Sequence, residues 1–250
     1  MNPPEIAWAL VSGGKDSKAT ALYLDEIGKL KGVIYLDTGI SVPFQEDFVR
    51  DFANRHSFIF EVYKTTESYE DYVRRYGFPH YGLHSVFVSA LKGRGMRQFH
   101  KKHPNEWAAS GVRTGESKRR GFTAVEFGEW EHVPIWAPIL KWKDNDVFTY
   151  IEKHNEKLPP AYHTLGISGD CLCGAFAKEE ERPILKTLYP EVFKRIRNLE
   201  IEKKEKWGHR SIRTAYQQQE LDEIITDPGL IYGCGGSCPI KQIREAEAIR

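Results

Sequence analysis

Ser12-Gly13-Gly14-Lys15-Asp16-Ser17 decides the reading of this chain. It follows directly on an apolar run, residues 6–11, and opens a segment, residues 18–27, in which Ala19, Leu22, Tyr23 and Ile27 recur at helical spacing. A strand that runs through a glycine turn into a helix gathers backbone N–H groups and the positive helix end around an anion. Gly13 and Gly14 let the backbone approach that anion without a Cβ in the way. Lys15 supplies a point charge for a phosphate group, and Asp16 supplies an oxygen ligand for a magnesium ion bridging phosphate oxygens. The Gly-x-x-x-x-Gly-Lys-[Ser/Thr] loop is absent, so this is a different kind of phosphate loop. A glycine turn that merely precedes a helix is the alternative, and it leaves six positions in one strand–turn–helix context to coincidence.

Outward from this loop, β-rich apolar runs recur at residues 6–11, 32–36, 58–62, 107–112 and 133–137. Helical spacing lies between the first three, as in Phe44, Phe48, Val49 and Phe52. Alternating strands and helices predict an α/β fold: a parallel five-stranded sheet with right-handed crossovers, flanked by helices. Ligands of such sheets sit beyond the carboxyl ends of the strands. Residues 12–17 and Asp37-Thr38-Gly39 both fall there, which makes Asp37 and Thr38 candidate nucleotide contacts, although Asp37 could instead cap the next element. The α/β domain is assigned to residues 1–155 and a helical, cysteine-bearing region to residues 156–250. Residues 155–170 read as a loop, with Pro159-Pro160, Gly166 and Gly169. Residues 182–206 read as helical, with Val192, Phe193, Ile196 and Leu199 on one face and Pro190 starting a second helix.

The chain has 250 residues, 40% of them hydrophobic, enough for one large α/β domain with a small appendage. A net charge of +1 implies no global attraction to nucleic acid or to a membrane. No apolar stretch approaches the roughly 18 residues that span a bilayer. The start of the sequence has neither the basic residues nor the apolar core of a signal peptide, so the expectation is a cytoplasmic protein without a membrane partner. In a reducing compartment its four cysteines point to metal or redox chemistry rather than to structural disulfides. They form two pairs, Cys171-x-Cys173 and Cys234-x-x-x-Cys238, set among Gly169, Gly174, Gly233, Gly235 and Gly236. Four thiolates suit a [4Fe–4S] cluster or a structural zinc, and the Cys-x-Cys spacing leans towards iron–sulfur. Four unrelated buried thiols are the remaining alternative.

The loop at residues 12–17 resembles the pyrophosphate loop of N-type ATP pyrophosphatases, which split ATP between the α and β phosphates. Three more segments resemble one branch of that superfamily, the phosphoadenylyl-sulfate reductase family. Gly111-Val112-Arg113-Thr114-Gly115-Glu116-Ser117 is similar to its Gly-x-Arg-x-x-Glu-Ser signature. Pro138-Ile139-Leu140-Lys141-Trp142, followed by Asp146-Val147-Phe148-Thr149-Tyr150-Ile151, resembles its Pro-Leu…Trp…Asp-Val-Trp-x-Tyr-Ile stretch. Residues 162–176, with Cys171-Leu172-Cys173-Gly174, resemble the cysteine passage of its cluster-bearing members. The resemblance covers about residues 6–200 and implies a Rossmann-like, HUP-type fold. It also implies an ATP site made of Ser12, Gly13, Gly14, Lys15, Asp16, Ser17, Asp37, Thr38, Arg113, Glu116, Ser117, Arg119 and Arg120. Lys15, Asp16 and Arg113 are its catalytic candidates, with Asp16 on magnesium. The arginines neutralise phosphate charge, Arg113 bidentately, and Glu116 orients an arginine or the ribose. A solvated loop with a local ion pair is the other reading of Arg113, Glu116 and Ser117. Trp142 and Tyr150 read as packing residues. The resemblance also favours iron–sulfur over zinc at Cys171, Cys173, Cys234 and Cys238.

The sequence departs from the reductases in two respects. There is no adjacent Cys-Cys pair, and Gly233-Cys234-Gly235-Gly236-Ser237-Cys238 lacks the glutamate and histidine of their nucleophile segment. If all four cysteines hold a cluster, no thiol remains to attack sulfur. The intact Ser-Gly-Gly-Lys-Asp-Ser loop belongs with members that cleave ATP. The leading expectation is therefore an enzyme that cleaves ATP to AMP and pyrophosphate and adenylylates an acceptor for sulfur insertion, as in DNA phosphorothioation or tRNA thiolation. Its partners are ATP, a DNA or tRNA acceptor and a sulfur donor such as a cysteine desulfurase, with a homodimer allowed for. A sulfonucleotide reductase using Cys234 or Cys238 is the second reading, and a non-catalytic nucleotide- and metal-binding subunit the third. A basic stretch, Lys92, Arg94, Arg97, Lys101 and Lys102 with His100 and His103, joined by Lys118, Arg119 and Arg120, has three readings. They are a polynucleotide-backbone contact, a solvated helix face and part of the nucleotide site.

Overall fold

The structure is a computed structural model and describes residues 2–79, 87–116, 124–174 and 181–207. Ser117, Arg119, Arg120, Cys234 and Cys238 lie outside the described residues. The chain divides into two compact units. The first comprises Met1–Asp37, Phe44–Lys64 and Lys92–Pro159, and the second Thr38–Pro43, Thr65–Leu91 and Pro160–Arg250. Two segments upstream of residue 155, Thr38–Pro43 and Thr65–Leu91, belong to the second unit.

In the first unit a six-stranded sheet has the order β3-β2-β1-β4-β6-β5. Its strands are β1 (Ala7–Leu10), β2 (Leu30–Asp37), β3 (Phe60–Lys64), β4 (Ala108–Ala109), β5 (Phe127–Trp130) and β6 (Val133–Trp136). Strands β1–β4 and β6 are parallel, as the sequence predicts, and β5 runs antiparallel to β6 along one edge. This sixth strand has no signal in the sequence. Its two-residue turn, Glu131-His132, takes positive φ at both positions (52° and 65°), a geometry usually announced by Asn-Gly.

Alternation along the strands builds two faces. Ala7, Ala9, Val33, Tyr35, Ala109 and Trp136 face one core cluster, where α1 (Lys15–Glu26), α2 (Gln45–Arg55) and α5 (Asp144–Lys153) contribute Leu22, Val49, Phe52, Val147 and Ile151. Trp8, Ile34, Leu36, Ala108 and Val133 face the other, where α4 (Arg94–Lys102) contributes Met96 and Phe99. Helices on both faces of a mostly parallel sheet make a three-layer Rossmann-like fold. Strand order reverses between β1 and β4, the switch point beyond whose carboxyl strand ends folds of this kind bind ligands.

The second unit has its own apolar core, built by α3 (Tyr69–Tyr76), α6 (Pro160–Leu165), α7 (Glu181–Leu188) and α8 (Pro190–Trp207). Pro190 starts α8, as read from the sequence, whereas α6 is a short helix inside the stretch read as a loop. Val192, Ile196 and Leu199 are buried along α8. Arg182 and Glu200 form a buried two-pronged ion pair at 3.0 and 2.8 Å. No helix among the described residues is long and apolar enough to cross a membrane.

Candidate functional site

Strand β1 ends at Leu10, and the chain turns through residues 12–14 into α1. Gly13 takes φ +90°, and a Cβ there would stand 2.5 Å from Nε2 of Gln45, so the turn requires glycine. Gln45 is buried and donates from Nε2 to the Ser12 carbonyl at 2.6 Å, fixing the loop from α2. Ser17 closes it from the helix side: its hydroxyl donates to the Gly14 carbonyl at 2.9 Å and accepts from the Ser12 N–H at 3.2 Å. No side chain caps α1, so the helix start is left to a ligand or to solvent.

Four charged side chains meet at this helix start. Lys15 Nζ lies 3.1 Å from each carboxylate oxygen of Asp16 and 2.9 Å from Asp144 Oδ1. Arg113 Nε donates to Asp16 Oδ1 at 2.5 Å, Nη1 to the Trp142 carbonyl at 3.0 Å, and Nη2 to Asp144 Oδ1 at 2.6 Å. Arg113 is 1% exposed, whereas the Asp16 and Asp144 side chains are 20% and 61% exposed. Hydrogen bonds from Lys15 and then Arg113 hold the Asp144 carboxyl below the usual carboxylate range. Burial works against the Arg113 charge, but Asp16 and Asp144 outweigh it and raise its pKa.

Arg113 reaches the site because the chain after β4 passes directly over the start of α1. A Cβ at Gly111 would lie 2.8 Å from the carbonyl carbon and oxygen of Asp16 and 2.9 Å from the Ser17 nitrogen. Asp144 arrives from the other direction, at the first turn of α5. Trp142 packs edge-on against Tyr23 of α1 (5.4 Å between centroids) and against Tyr150 (5.0 Å), which seats α5 on α1. Asp146, the aspartate quoted from the sequence, accepts the Lys143 N–H at 2.7 Å and caps the helix.

Asp37 ends β2 and pairs with Lys64 at 3.3 Å. Thr38 belongs to the second unit, fully buried, with its hydroxyl donating to the Asp170 carbonyl at 2.8 Å and accepting from the Ile40 N–H at 3.3 Å. Glu116 is exposed on a short 3₁₀ turn, Thr114–Glu116. Gln45 and Asp144 join the cluster at the start of α1 without being named in the sequence reading.

Three residues of the basic stretch are matched by carboxylates of their own unit. Lys102 and His103 hold Glu61 at 2.7 and 2.9 Å, and Arg97 pairs with Glu131. In the second unit, Cys173 is buried and Cys171 half-buried against the apolar core. Their loop is tied to residues 38–43 through Leu172 N–H to Ile40 O (2.7 Å), and the Cys173 carbonyl accepts from the Tyr69 hydroxyl at 3.0 Å. Among the described residues no group of three or more His, Cys, Asp or Glu side chains is arranged for a metal.

A glycine loop, a helix start and paired lysine and arginine at the switch point of a parallel sheet define an α/β protein of the phosphate-loop class. Residues 6–171 match the phosphoadenosine phosphosulfate reductase domain, and the chain belongs to that family. An uncharacterized protein of Methanocaldococcus jannaschii is 29% identical over 188 residues, 73% of this chain and 44% of the relative, so the chain spans less than half of that protein's length. Among solved structures, the phosphoadenylyl-sulfate reductase of Candida auris in a phosphate complex is 20% identical, with 66% of this chain and 79% of that one covered and a TM-score of 0.47. The U34-tRNA thiolase NcsA of Methanococcus maripaludis, with its [4Fe–4S] cluster, is 14% identical, with coverages of 91% and 83% and a TM-score of 0.47.

Proposed function

We propose that this chain is an ATP-using enzyme of sulfur chemistry that cleaves ATP between the α and β phosphates and adenylylates an acceptor. The observation that carries this reading is the meeting of Lys15 and Arg113 at the uncapped start of α1, beside an intact Ser-Gly-Gly-Lys-Asp-Ser loop. The loop N–H groups and Lys15 receive the β and γ phosphates. An oxygen of the acceptor attacks the α-phosphorus, the bond to the α–β bridging oxygen breaks, and pyrophosphate leaves with the acceptor proton passing to solvent. A sulfur nucleophile then displaces AMP. The protein's share is positioning and charge neutralisation.

Arg113 holds Asp16 in place, with Nε and Nη1 on protein acceptors, and its Nη2 end faces the phosphate site. Asp16 is a hard oxygen donor of the kind that holds magnesium together with substrate phosphates, and magnesium would neutralise charge on the leaving pyrophosphate. Cys171 and Cys173, together on one loop against an apolar core, suit half of a thiolate cage, with Cys234 and Cys238 as its other half. Such a centre would supply sulfur. The acceptor we assign to the reading is a DNA or tRNA oxygen, gripped by residues other than Arg97, Lys102 and His103, which are held by carboxylates.

The test is release of labelled pyrophosphate from ATP in the presence of candidate acceptors. Release that requires an acceptor and is lost in Lys15→Ala supports the reading. Sulfite from an adenylyl sulfate, without pyrophosphate from ATP, would replace it with the sulfonucleotide reductase that the family name favours.

A further inference from the structure

We propose that Asp144 occupies, in the ligand-free chain, the seat of a nucleotide phosphate, and that its return to that seat helps pyrophosphate to leave. The proposal rests on reading residues 12–17 as the phosphate loop. Oδ1 of Asp144 accepts from both Lys15 Nζ (2.9 Å) and Arg113 Nη2 (2.6 Å), so two cations from two different elements converge on one oxygen. That is the arrangement an anion seat presents to a phosphate oxygen.

The four charges balance, with Lys15 and Arg113 against Asp16 and Asp144. The two carboxylates differ in how firmly they are held. Asp16 is mostly buried and touches both cations through three nitrogen–oxygen contacts, while Asp144 is 61% exposed at the first turn of its helix. An incoming phosphate, more highly charged than a carboxylate, therefore displaces Asp144 and leaves Asp16 in place. Arg113 keeps its orientation during the exchange, because Nε stays on Asp16 and Nη1 on the Trp142 carbonyl while only Nη2 is released. The neighbouring Asp146 is not exchangeable in this way, since it caps α5. Asp144 thus competes with the leaving group for the cations that the leaving group must vacate.

The experiment is calorimetric titration of the full chain with inorganic pyrophosphate, for the wild type, Asp144→Asn, Asp144→Glu and Lys15→Ala. Asp144→Asn should bind pyrophosphate about 1.5- to 5-fold more tightly, the range of an exposed ion pair, and should be inhibited by pyrophosphate at correspondingly lower concentration during turnover. Asp144→Glu should return towards the wild type. Weaker or unchanged binding in Asp144→Asn, with wild-type binding lost in Lys15→Ala, overturns the place-holder role and leaves the phosphate loop standing. No binding to the wild type, or binding indifferent to Lys15→Ala, overturns both. Thermal melting of Asp144→Asn close to that of the wild type establishes that the variant is folded.

Discussion

Arg113 has three nitrogens on protein acceptors, which makes it a residue that positions charge as well as one that carries it. Arg113→Ala removes charge-assisted hydrogen bonds worth about 1.5–3 kcal/mol each, less for the exposed Asp144 end, and frees Asp16 from its place beside the loop. Pyrophosphate release should fall by at least about tenfold, and Arg113→Lys should recover only part of it, because one ammonium cannot reach three acceptors. Steady-state kinetics of the two variants checks this, and normal turnover in Arg113→Ala would reduce the segment to a structural loop. Gly111→Ala should destabilise by about 1–3 kcal/mol, since its Cβ meets backbone atoms of Asp16 and Ser17 that cannot rotate away. Thermal melting reads that loss. Lys15 and Asp16 stand out in the sequence because the strand–glycine–helix string gives a physical reason for their spacing, and Arg113 because its segment resembles a family signature. Asp144 does not, because nothing local distinguishes it from Asp146 two positions on: tertiary contacts send one to the site and the other to the cap.

At the scale of elements, the loop depends on pairs of helices and strands that hold its two sides. Lys18 on α1 is fully buried, 2.9 Å from Glu156 and 2.7 Å from the Lys157 carbonyl, with the Phe48 and Phe52 rings beneath its ammonium at 4.3 and 4.9 Å. Burial lowers its pKa despite Glu156. The strand–helix alternation was readable because apolar runs of strand length contrast with segments of helical period. The antiparallel edge strand was not, because Gly128 and Glu129 carry no strand signal and pairing with β6 supplies its order. The basic run on α4 reads in sequence as a cationic face, and the fold answers it with Glu61 from β3 and Glu131 from the hairpin. Burial pushes the Glu61 carboxyl up, but hydrogen bonds from Lys102, Tyr63 and His103 outweigh it and bring it from 4.5 down to about 2. A carboxylate depressed on folding contributes stability above its unfolded value and loses it as pH falls through the folded one. The stability advantage of the wild type over Glu61→Gln should therefore be full near neutrality and shrink between about pH 4.5 and about pH 2. Urea titrations of both proteins across that range measure it, and a pH-independent difference would mean that the contacts among Glu61, Lys102 and His103 do not persist in solution.

Across the whole molecule, the two units draw on interleaved segments, and this limits what a linear reading can assign. Residues 38–43 follow directly on a strand of the first unit yet hydrogen-bond to the cysteine loop of the second, through Val42 N–H to Gly169 O (2.8 Å) and Leu172 N–H to Ile40 O (2.7 Å). Thr38, a candidate nucleotide contact from its place after β2, donates its hydroxyl to the Asp170 carbonyl inside the second unit. The same ties bear on the metal centre. They fix the backbone on either side of Leu172, so Cys171 and Cys173 are held by the second unit whether or not a metal is bound. Anaerobically purified protein should accordingly be brown and contain about four iron and four sulfide per chain, as expected of a cubane held by four thiolates. Cys234→Ala or Cys238→Ala should abolish the iron, because a cubane held by four thiolates loses a ligand. Cys173→Ala should abolish the iron and also lower the melting temperature, since that side chain is 1% exposed and its loss opens a small cavity. Stoichiometric zinc without sulfide would retain the convergent site and reject iron–sulfur. Four thiols that alkylate freely in the native, metal-free protein would reject the centre altogether.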